Sequence, residues 1–178
     1  MPENDKIQLF EDQKIRTAWD EEKEEWFSTY TKTANIDTIT GNGTLNMFGG
    51  NVNIKTAIEQ DTLNINAGTF TANADNLNIA TALVNKGTLA TYGDLNNLST
   101  LDNTNGTVQI APDKTLYVTG TKDLGGTLDL NGQTLDMREQ GEDVTPVYST
   151  LTVNTLKGTG NLLIDANVNE TNKNADKI

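Results

Sequence analysis

Five Gly-Thr-apolar phrases punctuate this chain: Gly43-Thr44-Leu45, Gly68-Thr69-Phe70, Gly87-Thr88-Leu89, Gly106-Thr107-Val108 and Gly126-Thr127-Leu128. They stand 25, 19, 19 and 20 residues apart, and a weaker phrase, Gly158-Thr159-Gly160, follows 32 residues later. A period near twenty is the mark of a repeat architecture, in which one supersecondary unit cannot bury its apolar face alone and must stack on its neighbours. Inside each period the aliphatics alternate over short runs: Leu63 and Ile65, Leu77 and Ile79, Val108 and Ile110, Leu116 and Val118, Leu128 and Leu130, Leu135 and Met137, Leu151 and Val153, Leu162 and Ile164. Period-two spacing over a few residues gives short strands with one buried face. The Gly, Asn and Asp between them give turns. The pattern therefore predicts an all-β chain, a right-handed single-stranded parallel β-helix of about six or seven coils from near Asn35 onward. In each phrase Gly makes the corner, Thr favours the strand and the aliphatic enters the core. Asn and Thr at equivalent positions are placed to stack in ladders along the solenoid.

Composition removes several chemistries. Among the 178 residues there is no His and no Cys. The commonest general base, the usual transition-metal ligands and every thiol nucleophile are thus missing from the chain. Lys plus Arg number 13 against 25 Asp plus Glu, a formal charge of −12. Such a surface repels phosphate backbones, so no nucleic-acid partner is expected. No apolar run approaches the roughly 18 residues of a membrane span. The opening "MPENDKIQLFED" lacks the basic and apolar regions of a signal peptide, so the chain as written has nothing to carry it out of a cytoplasm.

Residues 1–30 differ in style from residues 31–178, and the shift predicts two modules. The first is dense in charge and holds both Trp residues, Trp19 and Trp26. "KIQLF" and "KIRTAW" read as the strands of a β-hairpin turning at "EDQ", with "DEEKEE" as a polar loop and "WFSTY" opening a third strand. A helix over residues 20–27 is the competing reading, since Glu and Lys are good helix formers. The phrase "KIQLFEDQKIRTAWDEEKEEWFS", residues 6–28, resembles the start of the prophage antirepressor (BRO-type) N-terminal domain. That resemblance implies a DNA-binding regulator. The family's next phrase, an aspartate-valine pair opening a helix, is replaced here by "TYTKTANIDTIT". The segment carries nine acidic residues against four basic ones. Its apolar set, Ile7, Leu9, Phe10, Ile15, Trp19, Trp26 and Phe27, would suit a cap over the first coil, because an open solenoid end exposes backbone and core.

The longer segment resembles the passenger region of bacterial autotransporters, the secreted β-helical part of adhesin-like surface proteins. "KGTLATYGDLNNLSTLDNTNGTVQI" and "KTLYVTGTKDLGGTLDLNGQTLDM" are typical of its coils. In "LKGTGNLLIDANVNETNKNADKI", residues 156–178, a glycine-bounded strand and an acidic turn lead to Asp176-Lys177-Ile178, the phrase that opens the next strand in that family. The resemblance implies a structural or adhesive surface β-helix at the cell surface or outside the cell, a piece of a passenger with no catalysis. Its partner would be a host or bacterial surface ligand, protein or glycan. Self-association through exposed solenoid ends is a further expectation.

Because β-helices also carry polysaccharide lyases and hydrolases, a third reading is a polysaccharide-active enzyme. Asp129 and Asp136, expected on adjacent strands with Arg138 following, are the carboxylate pair such an enzyme would use. Asp61, Asp75, Asp94, Asp102 and Asp113 fall in predicted turns. As Ca²⁺ ligands they would need the glycine-rich nonapeptide with aspartate at fixed offsets, which the sequence lacks. Tyr92 and Tyr117 are candidates to stack on sugar rings. Phosphate-loop, dinucleotide and nucleophile-elbow patterns do not occur. The balance of these readings assigns no catalytic, cofactor-binding or metal-binding residue, and no cofactor.

Overall fold

The computed structural model describes residues 7–9, 14–20, 25–30, 33–98, 100–139, 148–168 and 173–178, with side chains described only from Thr33 onward. In chain order the strands are β1 (Ile7–Leu9), β2 (Lys14–Asp20), β3 (Glu25–Tyr30), β4 (Thr33–Ile39) and the long, repeatedly turning β5 (Thr44–Asn73). Next come β6 (Leu77–Val84), β7 (Thr88–Asp94), β8 (Leu101–Asp102), β9 (Thr107–Ile110), β10 (Thr115–Tyr117) and β11 (Thr121–Asp129). The last are β12 (Thr134–Asp136), β13 (Thr150–Lys157), β14 (Asn161–Leu163), β15 (Ala166–Val168) and β16 (Lys173–Ala175). Helix is confined, among the described residues, to two 3-10 turns at Ala74–Asn76 and Leu95–Asn97.

The strands wind as a parallel β-helix of about 5 turns. Successive coils pair in fixed register. Thr69, Thr88, Thr107, Thr127 and Thr155 form one column, and Phe70, Leu89, Val108, Leu128 and Leu156 the column beside it. On another face β10, β12 and β14 stack Leu116 on Leu135 on Leu162. Threonine suits an outward strand position because its branched side chain fits the pleated surface. The aliphatic one residue on points inward, and Phe70, Leu89, Val108, Leu128, Leu116 and Leu135 are fully buried. One continuous core results, from Ile39 to Leu151.

The glycine of the repeated phrase is demanded by close approach between coils. A Cβ on Gly87 would stand 3.0 Å from the Gly68 carbonyl oxygen and 2.5 Å from an Ile65 methyl carbon. On Gly126 it would stand 1.9 Å from the Asn103 carbonyl oxygen and 2.9 Å from that of Gly106. Only a residue without Cβ fits there. Two phrases lie off this column. Gly43 accepts from the Thr62 amide and begins a different one. Gly158 and Gly160 sit over the Asn131–Gln133 corner, with the Gly132 amide donating to Thr159, while Leu156 takes the position after Leu128. The coils also lengthen: Thr134 pairs with Asn161 and Thr121 with Thr150. These two facts account for fewer turns than the six or seven that counting phrases suggests.

Asn side chains form the expected ladders. Asn53 donates to Asn35 (3.0 Å), Asn64 to Asn46 (2.8 Å) and Asn85 to Asn66 (2.8 Å), each across one coil. At the far end Lys177 makes an isolated parallel bridge to Thr150.

The hairpin is present, with its strands assigned differently from the sequence reading. β2 and β3 pair antiparallel, Trp19 opposite Trp26 and Asp20 opposite Glu25. Strand therefore replaces the alternative helix at Asp20 and at residues 25–27. The "KIQLF" strand is not part of it. β1 runs parallel to β5, Ile7 beside Leu45 and Leu9 beside Met47, so residues 7–9 belong to the solenoid sheet. The turn expected at residues 11–13, the loop at 21–24 and the side chains of the proposed cap lie outside the described residues.

Two glycine variants test the close-approach column. Gly126→Ala should lose about 1–3 kcal/mol or more, because backbone must move to admit the methyl group. Gly132→Ala, at φ +79° with nothing within 4 Å of the added carbon, should lose only about 1–2 kcal/mol of backbone strain. Urea melts giving equal losses would remove close approach as the reason for the phrase. Leu116→Asp should unfold neighbouring coils by burying an unpaired charge, while Asn105→Ser, at an exposed turn, should melt like the parent.

Candidate functional site

At many corners the chain uses one device. An Asp or Asn side-chain oxygen accepts from the backbone amide two residues on, the Asx turn. Asn73 holds the Asp75 amide, Asp94 that of Asn96, Asp102 that of Thr104, Asp123 that of Gly125, Asp129 that of Asn131 and Asp136 that of Arg138, at 2.9–3.1 Å. Neighbouring corners lock to each other as well. Asp75 accepts from the Asp94 amide at 2.9 Å and from the Asn97 side chain at 2.7 Å.

The candidate carboxylate pair is divided by this arrangement. Asp129 closes β11, in the stack β9–β11–β13, whereas Asp136 closes β12, in the stack β10–β12–β14. They do not lie on paired strands as the sequence suggested. Asp129 accepts from Gln109 at 3.4 Å and faces Lys157 at 3.4 Å. Asp136, only 4% exposed, is gripped by Arg138 through Nε at 2.9 Å and Nη2 at 2.8 Å. The Asp136 carboxylate, by hydrogen bond first and by charge second, raises the Arg138 pKa further above its usual value. A two-point Arg–carboxylate fork of this kind fixes geometry and leaves neither group suited to moving protons.

Of the five aspartates expected in turns, Asp94 and Asp102 end strands in Asx turns, Asp75 lies in a 3-10 turn and Asp113 holds a left-handed φ of 58°. Asp61 lies exposed within the long β5, at the position between Gln60 and Thr62 where the pairing with β6 skips a residue. Among the described residues no group of three or more His, Cys, Asp or Glu is arranged to hold a metal ion. Tyr92 and Tyr117 share an outward face on neighbouring coils, two positions out of step, since Tyr117 pairs with Asp94. The Lys114 ammonium stands 5.0 Å from the Tyr92 ring centre, a cation–π contact that occupies one face of the ring.

A feature the motif search missed is a row at nineteen-residue spacing: Glu59, Asn78 and Asn97. Glu59 pairs with Asn78 in register. All three line an open hollow of about 510 Å³ beside the two 3-10 turns, with Asp75 and Asn76 on its wall. Its lining mixes these carboxylate and amide groups with apolar Ala57, Ile58 and Leu77, and Asn97 donates to Asp75 within it. Lys122 is a second unpredicted feature. Its ammonium donates to the Leu98 carbonyl. Burial lowers its pKa, and the charge of Asp94 offsets part of that shift.

No helix among the described residues is long and apolar enough to cross a membrane. Compared with protein-family models, curated proteins and solved structures, the chain matches none.

The Asx turns make acid behaviour testable. The Thr104 hydroxyl, then its amide, hold the Asp102 carboxyl below its ordinary pKa. The stabilisation from this group is therefore present above the ordinary carboxylate pKa and lost as pH falls through the lowered folded value. In Thr104→Val the Asp102 pKa, followed by NMR titration, should rise toward its ordinary value. An unchanged titration would show that the hydroxyl does not contribute.

Proposed function

We propose that this chain is a structural and adhesive surface β-helix, a segment of an autotransporter passenger, whose work is to supply length and a repeating outward face and which performs no catalysis. The observation that carries this reading is the use made of the carboxylates. Those that an enzyme of this architecture would need, Asp129 and Asp136, are engaged in their own corners by Asn131, Lys157 and Arg138. The outward rows of Thr, Asn and Asp recur coil after coil, and such repetition suits multivalent contact with a host or bacterial surface. Fold alone does not assign function, so the proposal rests on these side chains and on the resemblance of the coil phrases to passenger sequences.

The test is retention of the purified chain on immobilised surface glycans and matrix proteins, alongside assays for release of reducing or unsaturated sugars from pectins. Binding without turnover, unchanged in Asp129→Asn and Asp136→Asn, is expected. Turnover that disappears in either variant would replace this reading with the polysaccharide enzyme. A salt-sensitive mobility shift of duplex DNA would put the antirepressor reading first.

A further inference from the structure

Asparagine followed by glycine occurs three times in the chain, at Asn42-Gly43, Asn105-Gly106 and Asn131-Gly132. Such a pair carries its own reaction. The backbone nitrogen of the glycine can attack the side-chain carbonyl carbon of the asparagine, because no Cβ on the glycine obstructs the approach. Attack needs a glycine N–H that is not hydrogen-bonded, so that it can lose its proton. It also needs freedom around the asparagine to bring the two atoms together. The fold grants these conditions to one pair and withholds them from the other two.

At Asn131-Gly132 both residues are held. The Gly132 amide donates to the Thr159 carbonyl at 2.7 Å. Asn131 donates through its own amide to Asp129 at 3.0 Å and through its side chain to the Ile110 carbonyl at 3.1 Å. At Asn105-Gly106 the Gly106 amide donates to the Asn103 carbonyl at 3.1 Å. Gly106 also belongs to the close-approach column, where an added Cβ would stand 2.4 Å from the Val84 carbonyl oxygen, so its backbone has little room to shift. Asn42-Gly43 differs. Among the described residues the Gly43 amide has no acceptor and the Asn42 side chain no hydrogen-bond partner. Asn42 is exposed, between Gly41 at φ 128° and Gly43 at φ 153°. The corner is anchored through carbonyls alone: the Gln60 side chain donates to that of Gly41 at 3.2 Å, and the Thr62 amide to that of Gly43 at 3.0 Å. Neither anchor engages the Gly43 nitrogen.

We propose that Asn42 is a site of self-modification, converted in the folded protein to aspartate and isoaspartate while Asn105 and Asn131 are spared. Hydroxide takes the Gly43 amide proton, and the nitrogen attacks Asn42 Cγ. The new N–Cγ bond closes a cyclic imide as the Cγ–Nδ2 bond breaks. The departing nitrogen takes a proton from water and leaves as ammonia, which restores the hydroxide. Water then adds to either carbonyl of the ring and opens it. Opening at Cγ gives aspartate. Opening at the main-chain carbonyl carbon gives isoaspartate, whose backbone runs through Cβ and Cγ. Water is the sole co-reactant, and no electron changes hands. Either product places a new negative charge in the hollow that Asn42 lines together with Glu59 and Asp61. Isoaspartate also lengthens the main chain by a carbon between the anchored carbonyls of Gly41 and Gly43. The inference holds whether or not the chain is a passenger segment.

Peptide mapping by mass spectrometry reads each site separately, on the full chain aged in mildly alkaline buffer and, in parallel, in urea. Conversion adds about 1 Da to the peptide that carries it. In the folded chain Asn42 should convert about tenfold faster than Asn105 or Asn131, or more, since the amides of Gly106 and Gly132 must first break a hydrogen bond and open locally. In urea the three sites should convert within about threefold of one another, because that protection is gone. Fragmentation that separates isoaspartate from aspartate should find both at residue 42. Asn42→Gln, at an exposed corner, should remove the acidic form that anion exchange resolves from the aged parent. A folded chain in which Asn42 converts no faster than the other two, or an Asn42→Gln variant that still develops the acidic form, would overturn the proposal.

Discussion

Everything in this molecule depends on parallel backbone pairing between one coil and the next, held at an offset of eighteen to twenty residues through most of its length. That pairing satisfies the amides and carbonyls of short strands that could not stand alone. It also fixes which side chains meet. Once Thr88 lies on Thr69, Leu89 must lie on Phe70 and Gly87 on Gly68. The glycine column is the place where this constraint is tightest, since a single carbon there would meet the preceding coil. The threonine and leucine columns follow from it at one and two residues' distance.

The acidic composition has a local use in the same scheme. A carboxylate that accepts a backbone amide two residues on stops a strand and turns the chain without help from metal or water. Asp75 and Asp94 show the device propagating, because one corner's side chain holds the next corner's amide. Much of the negative charge is thereby spread along the outside of the rod in fixed positions. Its effects are solubility and repulsion of polyanions.

The period, the strand phases and most of the corners were legible in the sequence because each answers to a short-range demand. Gly68, Gly87, Gly106 and Gly126 are spaced by the coil itself, and Leu116 or Val108 alternate because a strand does. Gly43 and Gly158 misled because a glycine before threonine or after lysine can also serve a turn, as the φ of 82° at Gly158 shows. The separation of Asp129 from Asp136 was out of reach, since seven residues can lie along one strand or round a corner, and only the fold decides. The pairing of Ile7 with Leu45 was equally hidden. It spans two periods, because β2 and β3 are interposed in the chain between β1 and β4. The hollow beside Glu59, Asn78 and Asn97 was visible only as a spacing of nineteen among ordinary polar residues.

That interposed hairpin, together with the longer offset between β11 and β13, has a consequence for how such a rod changes over generations. Additional chain enters between columns and leaves the columns in step. Insertions and deletions are therefore cheap at the corners and prohibitive along the glycine spine. Lineages carrying this architecture should diversify by swelling and shedding corner loops, or by gaining and losing whole coils, while the axial stack stays frozen in phase. The molecule is a shaft on which surface novelty can be mounted without redesigning the shaft.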